Sequence, residues 1–133
     1  MAIAPILIVD RDLGFVFWLG NVLASGGYPV LAAKDIPDAA LLLHQLKSEI
    51  GMLIVNPDLE KAAGFILDLQ RRQPNLIVIA IADDAHTPVM SGVHASRSKP
   101  VHASENARHE WLEVVGKMVT GTGRTRSAPA YVM

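Results

Sequence analysis

An α/β fold, with a parallel sheet held between two layers of helices, is predicted by three observations. Short runs of consecutive apolar residues recur along the chain, as in Ile6-Leu7-Ile8-Val9 and Met52-Leu53-Ile54-Val55. Such runs carry no helical period and suit strands buried on both faces, which belong in the middle of a parallel sheet. Between the runs lie segments with apolar residues three and four apart, the pattern of helices with one buried face. The connections are short, so the order reads βαβαβαβ, and that alternation argues for right-handed crossovers.

The first strand is predicted over Ile3 to Val9, ending in Asp10-Arg11-Asp12. Asp12 can cap the helix that follows, because its carboxylate accepts from free N–H groups of the first turn. That helix, Leu13 to Ser25, has a core stripe of Phe15, Trp18, Leu19 and Val22. Leu13, Phe17, Gly20 and Ala24 form a second apolar set, and no charge falls between residues 13 and 25. An uncharged back on a surface helix points to a cover, either the C-terminal tail or a second molecule. Gly26-Gly27 ends the helix, and Tyr28 to Ala33 reads as the second strand. Asp35 is the expected cap of the second helix, with Pro37 in its first turn. Its stripe is Ala39, Leu43, Leu46 and Ile50.

The third strand stops abruptly at Asn56-Pro57, a pair that continues neither a helix nor a ladder. The third helix is expected over Glu60 to Arg72, with Ala62, Phe65, Ile66 and Leu69 facing inward. Arg71 and Arg72 suit the helix dipole at its end. Leu76 to Ala82 is the fourth strand. Asp83 to Gly92 holds little periodicity, so any helix there is short. Val93 to Ser98 is polar enough to be an edge strand. The last helix carries Trp111, Leu112, Val115, Met118 and Val119 on one face, with Ser104 or a neighbour as its cap. Residues 1–120 form the predicted domain and 121–133 a tail without a core stripe.

Composition narrows the function. The 133 residues suffice for one core, and half of them are hydrophobic. No apolar run reaches the roughly 18 residues of a membrane span, and no secretory leader is evident. The expectation is a cytoplasmic protein without a membrane role. The chain has no cysteine, hence no disulfide framework or thiolate metal site. A formal net charge of −1 gives no electrostatic case for nucleic acid as a partner.

In sheets of this kind the chemistry sits at the carboxyl ends of the strands. Those ends hold Asp10-Arg11, Asn56, Ile81-Ala82 and Lys99-Pro100. With Gly27-Tyr28 after the first helix and Gly64 eight residues beyond Asn56, this spacing resembles the receiver domain of two-component response regulators. The resemblance covers roughly residues 3 to 120. It implies a flavodoxin-like (βα)5 three-layer sandwich with a central parallel five-stranded sheet. It also implies a role in phosphorelay signal transduction, with a histidine kinase, phosphotransfer protein or output protein as partner.

The departures fall on the chemistry. The resemblance implies an acidic pair and an aspartate that together hold Mg²⁺, the aspartate then attacking a phosphoryl group as nucleophile. Here Arg11 takes the second acidic position and Asn56 takes the phosphoacceptor's. Ile81 stands where the family has a hydroxyl, and Ser96 where it has an aromatic switch residue. Lys99 alone keeps its place. Asn56, Asp10, Arg11, Ile81 and Lys99 therefore read as a degenerate phosphorylation site, a pseudo-receiver with no catalytic residue, no cofactor and no expected metal. Asp10, Asp12 and Asp58 are the weak candidates for metal ligands. In the expected geometry Arg11, with Lys99, replaces the metal by pairing with Asp10, since arginine forms directional pairs with carboxylates.

Two rival readings stay open. One is a working receiver phosphorylated at a non-standard residue such as Asp58, although a turn aspartate is that residue's ordinary role. The other is a flavodoxin-like module for a small ligand, against which stands the lack of a Gly-rich nucleotide loop: Gly121-Thr122-Gly123 follows a helix rather than a strand. His44, His86, His94, His102 and His109 show no tight metal spacing. The charge-free set Leu13, Phe17, Gly20 and Ala24 is the candidate interface, for a signalling partner or a homodimer.

Overall fold

The computed structural model describes residues 4–46, 49–82, 93–100 and 103–123. Five strands, β1 (Ile6–Val9), β2 (Val30–Ala33), β3 (Met52–Val55), β4 (Ile77–Ala82) and β5 (Ala95–Ser98), form one sheet in the order β2-β1-β3-β4-β5. Every neighbouring pair is parallel. Among the described residues four helices, α1 (Leu13–Ser25), α2 (Ile36–Leu46), α3 (Ala62–Arg72) and α4 (Glu105–Gly123), cover it. The predicted flavodoxin-like α/β sandwich is the observed architecture.

The period-2 pleat divides each strand between two cores. Ile6, Ile8, Met52, Ile54, Ile77, Ile79 and Ile81 face α1 and α4, where they meet Phe15, Leu19, Leu23, Trp111 and Val115. Leu7, Val9, Leu53, Val55 and Val78 face α2 and α3, where they meet Ala39, Ala62, Ile66 and Leu69. The three central strands are buried at every position, which is why their sequences show no alternation. Edge strand β5 alternates between half-buried and exposed residues, as its polar sequence requires.

The predicted caps are in place. Asp12 Oδ1 accepts from the Phe15 N–H at 3.2 Å, Asp35 Oδ1 from the Asp38 N–H at 2.9 Å, and Ser104 Oγ from the Ala107 N–H at 3.1 Å. Gly27 closes α1 with φ 94°, a left-handed conformation that suits glycine.

Several expectations need correction. β2 begins at Val30, because the Pro29 carbonyl is already accepting from Ile6 and marks the entry to the ladder. α3 begins at Ala62 rather than Glu60, after Lys61 takes a left-handed φ of 71°. Ile50 is buried but lies outside α2, held instead by Gln73, whose side-chain amide bonds both the N–H and the C=O of Ile50. Gly20 is half-buried, with Val30 3.6 Å from where a Cβ would stand, while Leu13, Phe17 and Ala24 of the same set are exposed. α4 runs on to Gly123, so Gly121-Thr122-Gly123 belongs to the helix and not to a tail. Extending an existing helix avoids the nucleation cost, which lets it absorb poor helix formers. Residues 83–92, His102 and the tail from 124 lie outside the described residues.

Candidate functional site

The register of the central strands assembles the site. Val9 pairs with Val55, so the residues that follow, Asp10 and Asn56, emerge side by side at the carboxyl end of the sheet. The Asn56 N–H donates to the Val9 carbonyl at 3.0 Å, and the Asp10 N–H to Ala33 at 3.2 Å, which keeps both chains in ladder geometry to the last residue. On the far side, the Lys99 N–H donates to the Ala82 carbonyl at 2.9 Å and prolongs β5 by one bond. Lys99 thereby projects back across the end of β4.

Asp10 is completely buried, and Asn56 is 2% exposed. A buried carboxylate must be compensated. Lys99 Nζ lies 2.5 Å from Asp10 Oδ2 and 3.6 Å from Asp12 Oδ2. Asn56 Nδ2 donates to Asp10 Oδ1 at 3.2 Å, and the Asp12 N–H donates to the same oxygen at 3.3 Å. The Asn56 side chain is oriented by its chemistry. Its other end, Oδ1, accepts from the Asp58 N–H at 2.9 Å and forms a local turn. The Asn56 carbonyl accepts from Leu59 at 3.2 Å and completes the bend toward α3.

The central pair is neutral as built, with one carboxylate, one ammonium and a neutral amide. Lys99 also sits 5.4 Å from the centroid of the Phe15 ring, which adds a cation–π contact at a largely desolvated site. Phe15 in turn packs edge-on against Trp111, with centroids 6.1 Å apart. Asp12, Phe15, Trp18, Lys99, Pro100 and Ala103 line a shallow depression of about 270 Å³ beside the ammonium. A wider depression of about 520 Å³ between α2 and α3 contains none of these site residues.

The structure brings Asp10, Asn56 and Lys99 together and leaves Arg11 out. The expected Arg11–Asp10 pair does not form among the described residues. Asp10 is completely buried against Lys99 and Asn56, whereas the next residue lies past the end of β1 on the exposed side. Arg11 is exposed and lines an open depression of about 400 Å³ with Lys34, Leu59 and Lys61. Ile81 is buried in the α1/α4 core layer and brings no polar atom to the site. Ser96 is exposed on β5. Asp58 is exposed, and its backbone N–H rather than its carboxylate touches Asn56. Among the described residues no group of three acidic or histidine side chains is placed to hold a metal ion. Asp12 is cap and ion-pair partner at once, a double role that its sequence position did not reveal. Phe15 was legible only as a core residue; its spacing from Asp12 gives no sign of its contact with Lys99.

Solved structures share this architecture. A CheY-like response regulator receiver domain protein from Methanospirillum hungatei JF-1 superposes with a TM-score of 0.72 over 92% of this chain and 98% of that one, at 17% identity. The signal receiver domain of an HD domain-containing protein from Pseudomonas fluorescens Pf-5 gives 0.75 over 95% and 93%, at 19% identity. The chain has the receiver fold. Its sequence is 28% identical over 103 residues to the transcriptional regulatory protein GlrR of Escherichia coli K12, a match that covers 74% of this chain and 23% of that protein. The chain thus spans about a quarter of the length of the curated relatives it matches. No protein-family model matches it. Asp10, Asn56 and Lys99 lie at the carboxyl ends of the strands, where open α/β sheets generally bind their ligands.

Proposed function

We propose that this chain is a receiver-type signalling module of a two-component system that acts by contact with a protein partner and accepts no phosphoryl group at residue 56. The observation that carries this reading is the closed set Lys99–Asp10–Asn56. The Asn56 amide satisfies Asp10 at one end and the Asp58 N–H at the other. It has no nucleophilic oxygen for phosphorus. Lys99 neutralises Asp10 directly, a task that a divalent cation performs where several carboxylates converge. The module has no catalytic role in this reading, and its output passes through a partner. Leu13 and Phe17, 42% and 62% exposed one turn apart on the charge-free helix α1, are the contact surface.

Intact-protein mass after incubation with acetyl phosphate and Mg²⁺ tests the proposal, with Asn56→Asp as the control. The wild type is expected to show no adduct. A gain of about 80 Da on the wild type, the mass of one phosphoryl group on a nucleophilic side chain, overturns it, and peptide mapping would then ask whether Asp58 carries the group.

A further inference from the structure

The start of β5 is fastened by a side chain. β4 and β5 pair from Ile79↔Ala95 onward, so among the described residues Val78 has no strand partner for its N–H on that side. His94, one residue before β5, supplies both halves of the missing pair. Its backbone N–H donates to the Val78 carbonyl at 2.8 Å, and its ring Nδ1 accepts from the Val78 N–H at 3.0 Å. Val78 is completely buried, so no water stands ready to replace the ring.

This bond exists only for the neutral imidazole carrying its proton on Nε2. In the imidazolium both nitrogens are donors. Protonation would set Nδ1–H against the Val78 N–H and leave a buried donor without an acceptor, an arrangement that native structures avoid. His94 is exposed, so its ring is open to the proton. We infer that His94 is a proton-sensitive clasp that holds the start of β5 on β4 and through that strand steadies Lys99.

The link to Lys99 is short. β5 is a four-residue edge strand whose exit is held by the Lys99 N–H on Ala82 and by the Lys99 ammonium on Asp10. A strand of that length, paired on one side only, has few bonds to spare. Among the described residues of β4, β5 and α4, no other titratable group explains the clasp. β4 carries none, and on β5 Arg97 pairs in register with Ile81, toward the Lys99 end. On α4 the buried residues are Ala107, Trp111 and Val115, while Glu105, Arg108, His109, Glu110, Glu113 and Lys117 are all outside the buried set. The direction follows from the bond: only the neutral ring accepts from the Val78 N–H, so the clasp is lost when the ring takes up a proton.

Amide hydrogen exchange on the full chain at pH 8 and pH 5, corrected for intrinsic rates, tests the inference, with His94→Asn as the comparison. The asparagine oxygen can take the place of Nδ1 and does not titrate. In the wild type, protection of the Val78 and Lys99 amides is expected to fall by about five- to tenfold on acidification, the scale of one neutral hydrogen bond. The variant should keep both. Unchanged protection in the wild type, or the same fall in His94→Asn, overturns the inference. A fall at Val78 alone overturns the link to Lys99. Should the variant fail to fold, nitrogen-15 shifts of the wild-type ring at pH 8 still decide: a ring protonated on Nδ1 would refute the clasp.

Discussion

Two lysine–aspartate pairs in this molecule have the same 2.5 Å separation and opposite surroundings. Lys34–Asp38 joins the end of β2 to the first turn of α2, four residues apart, with side chains 57% and 45% exposed. Lys99–Asp10 joins the end of β1 to the end of edge strand β5 across the sheet, with side chains 10% and 0% exposed. Distance alone would rank them equal. Water screens the first pair and each of its members is well solvated without the other. In the second pair the carboxylate has no access to water, so removing its partner strands a buried charge. The lesson is that the buried pair is tied to one arrangement of five strands, whereas the surface pair would survive in any helix with that spacing.

The largest expected effect comes from breaking the buried pair on one side. Lys99→Met should lower unfolding stability by about 3–5 kcal/mol, the range for an orphaned buried charge, read from urea denaturation with a fixed m-value. Adding Asp10→Asn to that variant should recover most of the loss, since no charge then remains buried. A double mutant no more stable than Lys99→Met would show that the pair does not carry the energy.

A smaller effect should follow from Asn56→Asp. That change removes the donor to Asp10 and places a second carboxylate beside the first, at the 3.2 Å now spanned by the hydrogen bond. One carboxyl of such a pair holds its proton more tightly. The variant should therefore be destabilised by about 1–3 kcal/mol at pH 7, the cost of leaving a buried polar group unsatisfied, and should recover as pH falls toward 5. Millimolar Mg²⁺ should also restore its melting temperature, because a cation that binds only the folded state stabilises it by mass action. A melting temperature insensitive to both pH and Mg²⁺ would mean that the two carboxylates do not face each other.

The smallest effect belongs to the surface pair. Lys34→Ala should leave the urea midpoint unchanged within error. The hydrogen bond to Asp38, reinforced by that carboxylate's charge, raises the Lys34 pKa above its ordinary value. The pair's contribution is thus present below the normal lysine range and fades only as pH rises through the raised value. A clear loss of stability at neutral pH would erase the contrast with Lys99.

Much of this was legible before any coordinates. The apolar runs at residues 6–9, 52–55 and 77–82 could only be buried strands, and the polar residues at their exits marked the site. Asp10, Asn56 and Lys99 were found that way because a strand end fixes where a side chain emerges. Arg11 was misjudged for the complementary reason. Its charge is evident in the sequence, but the direction of its side chain depends on how the chain turns after β1. The His94 clasp left no sequence signal, since a lone histidine before a poor strand has no periodicity to read.

By itself the sequence determined the α/β order, the caps at Asp12, Asp35 and Ser104, and the neutral amide at the critical strand end. These follow from interactions within a few residues, so the local chain already contains them. Only the tertiary structure decided that Lys99 rather than Arg11 neutralises Asp10, and that His94 completes Val78. Both contacts link strands that are distant in sequence, and their partners are chosen by register and burial, which exist only once the sheet has closed.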